Sequence, residues 1–380
     1  MNTFFPKTPP LKSFKTKSKS LNLLSNIASS LPKLLLTDKV QPTIDRLNKD
    51  ALSVNKLFTN KNIKEINLAM SHLSFVAHAY IWGGIKPNSV LPEVISKPWV
   101  KVSNYIGRPP ILSYASYCLD NWYKIDNNQP ISLDNVALIN NFLGGVDEDW
   151  FVTIHVCIED AATDAIIAAN NLSRLNENSK VREFSLELKK IIKSLKNVNE
   201  IFSKMPDKCD PYIYYHRVRP YIFGTKNNPD LKNGLIYENQ FDNKPQFFRG
   251  ETGAQSSIIP FLDGALGIEH SNDNLRPYLN EMRDYMPPAH RKMIDDIEKR
   301  SKVKTYINKS KKLVKEYNHC LEEIRQFRAQ HLEYAASYIH KQSQIKNPFG
   351  TGGSTIRGTG GTPFMKYLKK HRDETDKQKV

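Results

Sequence analysis

At 380 residues, the chain is long enough to bury a cofactor-sized cavity and to divide into two compact units. Hydrophobic residues make up 39% and charged residues 25%, an ordinary globular balance, and no run approaches the roughly 18 apolar residues that a membrane span needs. The net charge of +16 invites a nucleic-acid partner. However, the lysines are scattered over the N-terminal stretch, 188–196 and 301–315, with no zinc finger, RRM signature or aromatic–basic platform. The charge therefore reads as solvated surface.

Residues 1–37 hold six lysines and no acid, without the hydrophobic core or cleavage site of a secretory signal. Their composition mimics a transit peptide, but a disordered basic extension is the simpler expectation. A small mixed domain is expected over 38–140, opening with a helix over 61–79 that carries Ile63, Ile66, Leu68, Leu73 and Phe75. Prolines punctuate the next stretch, and Pro109-Pro110 suits the start of a helix over 111–122. Asn127 to Pro130 reads as a connection.

A large helical domain is expected over 141–380. Asp147, Glu148 and Asp149 sit at the start of a helix reaching residue 170, where carboxylates favour the helix dipole. An amphipathic helix follows over 185–205, then a short apolar one over 256–268. Pro287-Pro288 opens another, and a long helix spans 307–342 with Tyr317, Leu321, Ile324, Phe327, His331, Ala335 and Tyr338 at helical spacing. Residues 347–362 hold six glycines and read as a mobile lid, with a plain linker as the alternative. No Gly-Lys-Ser/Thr follows them, so a phosphate loop is unsupported.

Candidate chemistry centres on histidine. Arg328 and His331 are three residues apart on an otherwise apolar helix face. A buried neutral imidazole is what haem iron requires, and an arginine beside it calls for a carboxylate. The competing reading is a satisfied core histidine, and spacing alone does not choose. His155, with Phe151 one turn before and Glu159 one turn after, and His290 in Met286–Arg291 carry the same ambiguity. Residues 212–223 mix Tyr212, Tyr214, Tyr215, Tyr221 and Phe223 with Arg217 and Arg219. That mixture suits a flat ligand bearing a carboxylate, or an ordinary aromatic core. Cys118, Cys157, Cys209 and Cys320 form no CxxC pair, which excludes a disulfide framework and points to a reducing, cytoplasmic compartment.

Several motifs, in order, resemble the indoleamine 2,3-dioxygenases. They are Phe248 to Ser257 (FRGETGAQSS) followed by Phe261-Leu262-Asp263, Tyr285 to Arg291 (YMPPAHR), and Gly358 to Thr362 (GTGGT) with Met365 and Leu368. Pro109 to Tyr114, Asn121-Trp122, Ser74-Phe75, Trp82-Gly83, Asn228-Pro229 and Gly234-Leu235 extend the likeness over residues 45–375. The resemblance implies a mainly α fold in which a small mixed domain precedes a helical domain holding haem b, with His331 as iron ligand and Asp263 paired to Arg328. His290 is left structural. It further implies that Arg219 clamps a substrate carboxylate and Tyr214 packs on an indole. Tyr114, Tyr117, Cys118 and Phe151 line the indole pocket, Thr252 and Gly253 lie by the haem edge, and Thr359 closes from the glycine-rich loop. The implied partners are L-tryptophan or a related indoleamine, O2 and an electron donor; from composition and motifs, no nucleic acid and no membrane span are expected.

Three departures from the family pattern stand out. Tyr214 stands where phenylalanine is usual. His155 stands where serine is common, resembling the distal histidine of tryptophan dioxygenases. Arg249 and Glu251 bring charge into the glycine-rich turn. These departures keep open a haem protein that binds an indole or O2 without cleaving the ring. A basic helical protein binding nucleic acid or another partner without cofactor is the reading from a different class; it predicts a colourless protein whose binding weakens steeply with salt.

Overall fold

The computed structural model describes residues 3–271, 275–345 and 364–380. Helix accounts for 62% and strand for 3%, so the mainly α expectation holds. The longer helices are α1 (Lys19–Ser29), α2 (Ile63–Trp82), α3 (Glu93–Ile106), α4 (Val146–Ala161), α5 (Thr163–Leu172), α6 (Val181–Ser203), α7 (Ile258–Leu266), α8 (Leu275–Arg283), α9 (Pro288–Arg300), α10 (Lys311–Ala335) and α11 (Phe364–Asp376). Two short strand pairs accompany them: Val90–Leu91 parallel to Ile236–Tyr237, and Trp122–Lys124 antiparallel to Val136–Leu138. Among the described residues, no helix is long and apolar enough to cross a membrane.

Apolar side chains collect into two large clusters. One is built on α2 and α3, with Phe75, Trp99 and Trp122 fully enclosed, and it also takes in Ile222 and Tyr237 from later in the chain. The other packs α5, α6, α7 and α10 around Phe184, Phe261 and Tyr317. Helix α4 serves both. Val152 and Val156 face the first cluster, while Ile154 and Ile158, on the opposite side of the same helix, face the second.

The N-terminal segment corrects the expectation of a disordered tail. Phe4 packs edge-on against Phe261 and tilts onto His290 at 4.8 Å, and Phe5 stacks on Trp122 at 5.0 Å. The backbone N–H groups of Lys15 and Thr16 both donate to Glu65 at 2.7 Å. Leu21, Leu24, Ile27 and Ala28 form a buried stripe on α1. Composition drew attention to the lysines, whereas the leucine spacing and the two phenylalanines decide the structure.

Two expected helices also differ. The stretch 150–170 breaks at Ala162, giving α4 and α5. Residues 111–122 form only one wide π-type turn, Ala115–Leu119, before entering the strand at Trp122.

Candidate functional site

A cavity of about 590 Å³ opens between α10 and the turns that precede and follow it in space. Its first wall is regular helix. Ser310 caps α10 by accepting the Lys312 N–H, and Leu313, Tyr317, Leu321 and Ile324 bury one stripe. Anchoring that stripe turns Phe327, Arg328, His331 and Ala335 toward the cavity. The His331 ring lies 6.3 Å from that of Phe202, and among the described residues neither of its nitrogens is hydrogen-bonded. Burial, reinforced by nearby His155, lowers its pKa to about 4, so the imidazole is neutral at physiological pH with a lone pair available.

Behind His331 stands an ionic network. Arg328 donates to Asp263 Oδ2 at 2.6 Å and also to the Thr375 hydroxyl. Burial alone would raise the Asp263 carboxyl, but the Arg328 guanidinium and His270 outweigh it and hold the group below the usual carboxylate range. The carboxylate that Arg328 required is thus in place.

The opposite wall is irregular. A wide turn at Tyr214–Val218 runs into a tight one at Arg219–Ile222, and the Glu251 N–H donates to Ile222 O at 3.0 Å. The two segments meet through Gly224 and Gly250. A Cβ on either glycine would come within about 2.2 Å of the other's backbone nitrogen, which is why glycine is needed at both points. Arg219 is buried, with its guanidinium over Phe223 at 4.6 Å and Tyr215 at 5.0 Å. Tyr214 lies 4.6 Å from Phe151. The Nδ1–H of His155 donates to Phe151 O at 2.7 Å, which leaves Nε2 as an acceptor. Burial lowers the pKa of His155 as well.

Tyr114, Phe151, His155, Tyr214, Arg219, Thr252, Gly253, Asp263, Arg328 and His331 all line this cavity. Tyr117 and Cys118 do not. The turn Ala115–Leu119 directs them into the first core, where Tyr117 stacks on Phe75 at 5.7 Å and Cys118 is fully enclosed. Thr359 and the glycine-rich segment 347–362 lie outside the described residues. His290 is away from the cavity, bonded to the Ser257 hydroxyl at 3.1 Å, with burial lowering its pKa to about 3.

Two buried carboxyls carry no assignment from sequence: Glu251, which lines the cavity, and Glu159, which lies behind the lining residues Tyr114 and Ser256. Glu159 accepts from Tyr114 at 2.9 Å and Ser256 at 2.7 Å, yet burial pushes it up to about 7. Glu251 is pushed up to about 8 by burial. The signals were there: Glu159 follows His155 by one helical turn, and Glu251 is an acid inside a glycine-rich turn.

The model of the family described as Indoleamine 2,3-dioxygenase matches residues 1–378. The chain belongs to the indoleamine 2,3-dioxygenase family. Indoleamine 2,3-dioxygenase 1 of Rattus norvegicus is 34% identical over 92% of this chain and 88% of its own length. Indoleamine 2,3-dioxygenase of Saccharomyces cerevisiae is 30% identical over 94% of this chain and 87% of its own. A protein named myoglobin from Haliotis madaka is also 30% identical, over 93% and 90%. Family membership makes the chain a haem-dependent dioxygenase, an oxidoreductase. The residues present fit haem: a neutral imidazole without a protein partner among the described residues, backed by an arginine–carboxylate pair, faces a largely apolar cavity.

Proposed function

We propose that this member of the family cleaves the indole C2–C3 bond of L-tryptophan, or a closely related indoleamine, with O2 to give an N-formylkynurenine-type product. The cofactor would be haem b held by His331, with an external electron donor as further partner. When bound, haem supplies the oxygen activation that the side chains lack. The observation that carries the reading is the pairing across one cavity of His331, without a hydrogen-bond partner among the described residues, with a buried arginine, Arg219, set among aromatic rings.

Each wall then has its task. Asp263 orients Arg328 and so steadies the turn of α10 that presents His331. Tyr214 and Phe151 pack on the indole, and Arg219 binds the carboxylate, a charge-assisted bond contributing about 1.5–3 kcal/mol. His155 accepts the indole N–H at Nε2, because its Nδ1 proton is committed to the Phe151 carbonyl. Glu251 offers a carboxylate to the substrate ammonium. Thr252 and Gly253, which line the same cavity, would border the edge of the cofactor. The four free cysteines, all buried, suit a reducing, cytoplasmic setting.

The test is turnover. With L-tryptophan, O2 and a reductant, the purified protein should form N-formylkynurenine with one O2 consumed per product. The Haliotis madaka relative favours a second reading, reversible O2 binding without ring cleavage. Stable O2 uptake with tryptophan left intact would establish that reading instead.

A further inference from the structure

Three metal-ligating side chains converge where α11 crosses the segment that follows α7. His270 lies just beyond the end of α7. His371 and Glu374 are three residues apart on α11 and share one face of it. The ligand atoms of all three lie within 4.8 Å of one another. His270 Nδ1 is 2.9 Å from Glu374 Oε2, close to the spacing of two ligands that share one ion at bonds of roughly 2.0–2.2 Å.

Two further observations point to a ligand. The His371 ring stacks on His270 with centroids 4.2 Å apart, and among the described residues its nitrogens have no hydrogen-bond partner. The other nitrogen of His270, Nε2, is 3.2 Å from Asp263 Oδ2. Histidines that bind metal almost always direct their second nitrogen to an outer carboxylate of this kind. Three cations border the cluster: Arg328 lies 3.3 Å from His270 Nε2, Lys370 lies 3.7 Å from Glu374 Oε1, and Arg276 donates to the His270 carbonyl at 2.8 Å. Asp263 pairs with Arg328 and Glu374 with Lys370, so two of the three have a carboxylate partner within the cluster.

We propose that His270, His371 and Glu374 bind a divalent transition ion of the zinc class, with Asp263 as the outer partner of His270. Two imidazoles and one carboxylate suit zinc rather than magnesium or calcium, which prefer all-oxygen sites. The ion takes the place of the proton shared by His270 Nδ1 and Glu374, and water completes its coordination. Because Asp263 also holds Arg328, three residues before His331, an occupied site would tie α11 to the helix that presents His331. The proposal does not depend on the identity of the substrate.

The test uses the untagged full-length protein as purified, freed of loose metal with a chelator and titrated calorimetrically with Zn²⁺. Zinc and iron are counted separately by elemental mass spectrometry, so a chain without iron still reports on this site. The expected result is a single zinc per chain, with Glu374→Gln and His371→Phe each weakening its affinity on the order of 10–100-fold. His319→Ala, a surface histidine elsewhere on α10, should leave it unchanged. No saturable zinc uptake by the wild-type protein would overturn the proposal, as would equal affinity in both site variants or equally tight Mg²⁺ binding. Should a variant fail to fold, the wild-type thermal midpoint decides: a rise with zinc but not magnesium supports the site, and no zinc-dependent rise refutes it.

Discussion

The two walls of the cavity solve different problems with different materials. The His331 wall is a 25-residue helix, backed by a buried ion pair whose partners come from α7 and α10. The Arg219 wall consists of wide and tight turns pinned by backbone contact at Gly224 and Gly250. Its acid Glu251, and Glu159 behind Tyr114, are raised toward neutrality by burial. One wall fixes a single nitrogen in place. The other presents a varied surface that a substrate can read. Removing a group from the first should therefore damage the fold and cofactor retention together, whereas removing one from the second should change which molecules are accepted.

The largest effect is expected at Arg328. Arg328→Ala leaves His270 as the remaining partner of Asp263, and breaking a buried pair in this way costs up to about 3–5 kcal/mol. Thermal or denaturant unfolding should show that loss together with poorer haem retention; near-wild-type stability would remove the pair from its supporting role. Next comes Arg219→Ala. It should lower kcat/KM for L-tryptophan by roughly 10- to 150-fold, the equivalent of about 1.5–3 kcal/mol, while tryptamine, which lacks the carboxylate, changes little. Equal losses for both would deny Arg219 the clamp.

His155→Ala should act more weakly. One neutral hydrogen bond contributes about 0.5–1.5 kcal/mol, so tryptophan turnover should fall about 2- to 12-fold, and 1-methyltryptophan, without an indole N–H, should be unaffected. A shared loss would place His155 elsewhere in the reaction. The smallest effect concerns Glu251, whose carboxyl is pushed up to about 8 by burial and which shares the cavity lining with Tyr114 and Tyr214. Binding a substrate ammonium favours the carboxylate, so L-tryptophan affinity should rise as pH climbs from about 6 toward 8 and then level off. Glu251→Gln should flatten that rise, and an unchanged profile would separate Glu251 from the ammonium.

The same contrast governs what could be read from the sequence. Helix α10 was legible because its apolar spacing and the Arg328/His331 pairing are local features. The motif resemblance supplied Asp263, 65 residues earlier, as the missing carboxylate. The resemblance places Tyr117 and Cys118 at the pocket, but local sequence does not reveal that the backbone widens at Ala115–Leu119, where both side chains join the first core. The N-terminal residues Phe4 and Phe5 gave no pattern of their own, since their partners Phe261 and Trp122 are remote in sequence. His270 and His371 are likewise separated by about a hundred residues, and only the crossing of α11 brings them together.

The central claim concerns His331, and a cavity-forming variant tests it most directly. Purified His331→Gly should lose the wild-type haem absorption spectrum and regain a histidine-ligated one when free imidazole fills the vacated space. Full haem content with an unaltered ferric, ferrous and CO-bound spectrum in His331→Gly would show that another residue holds the iron.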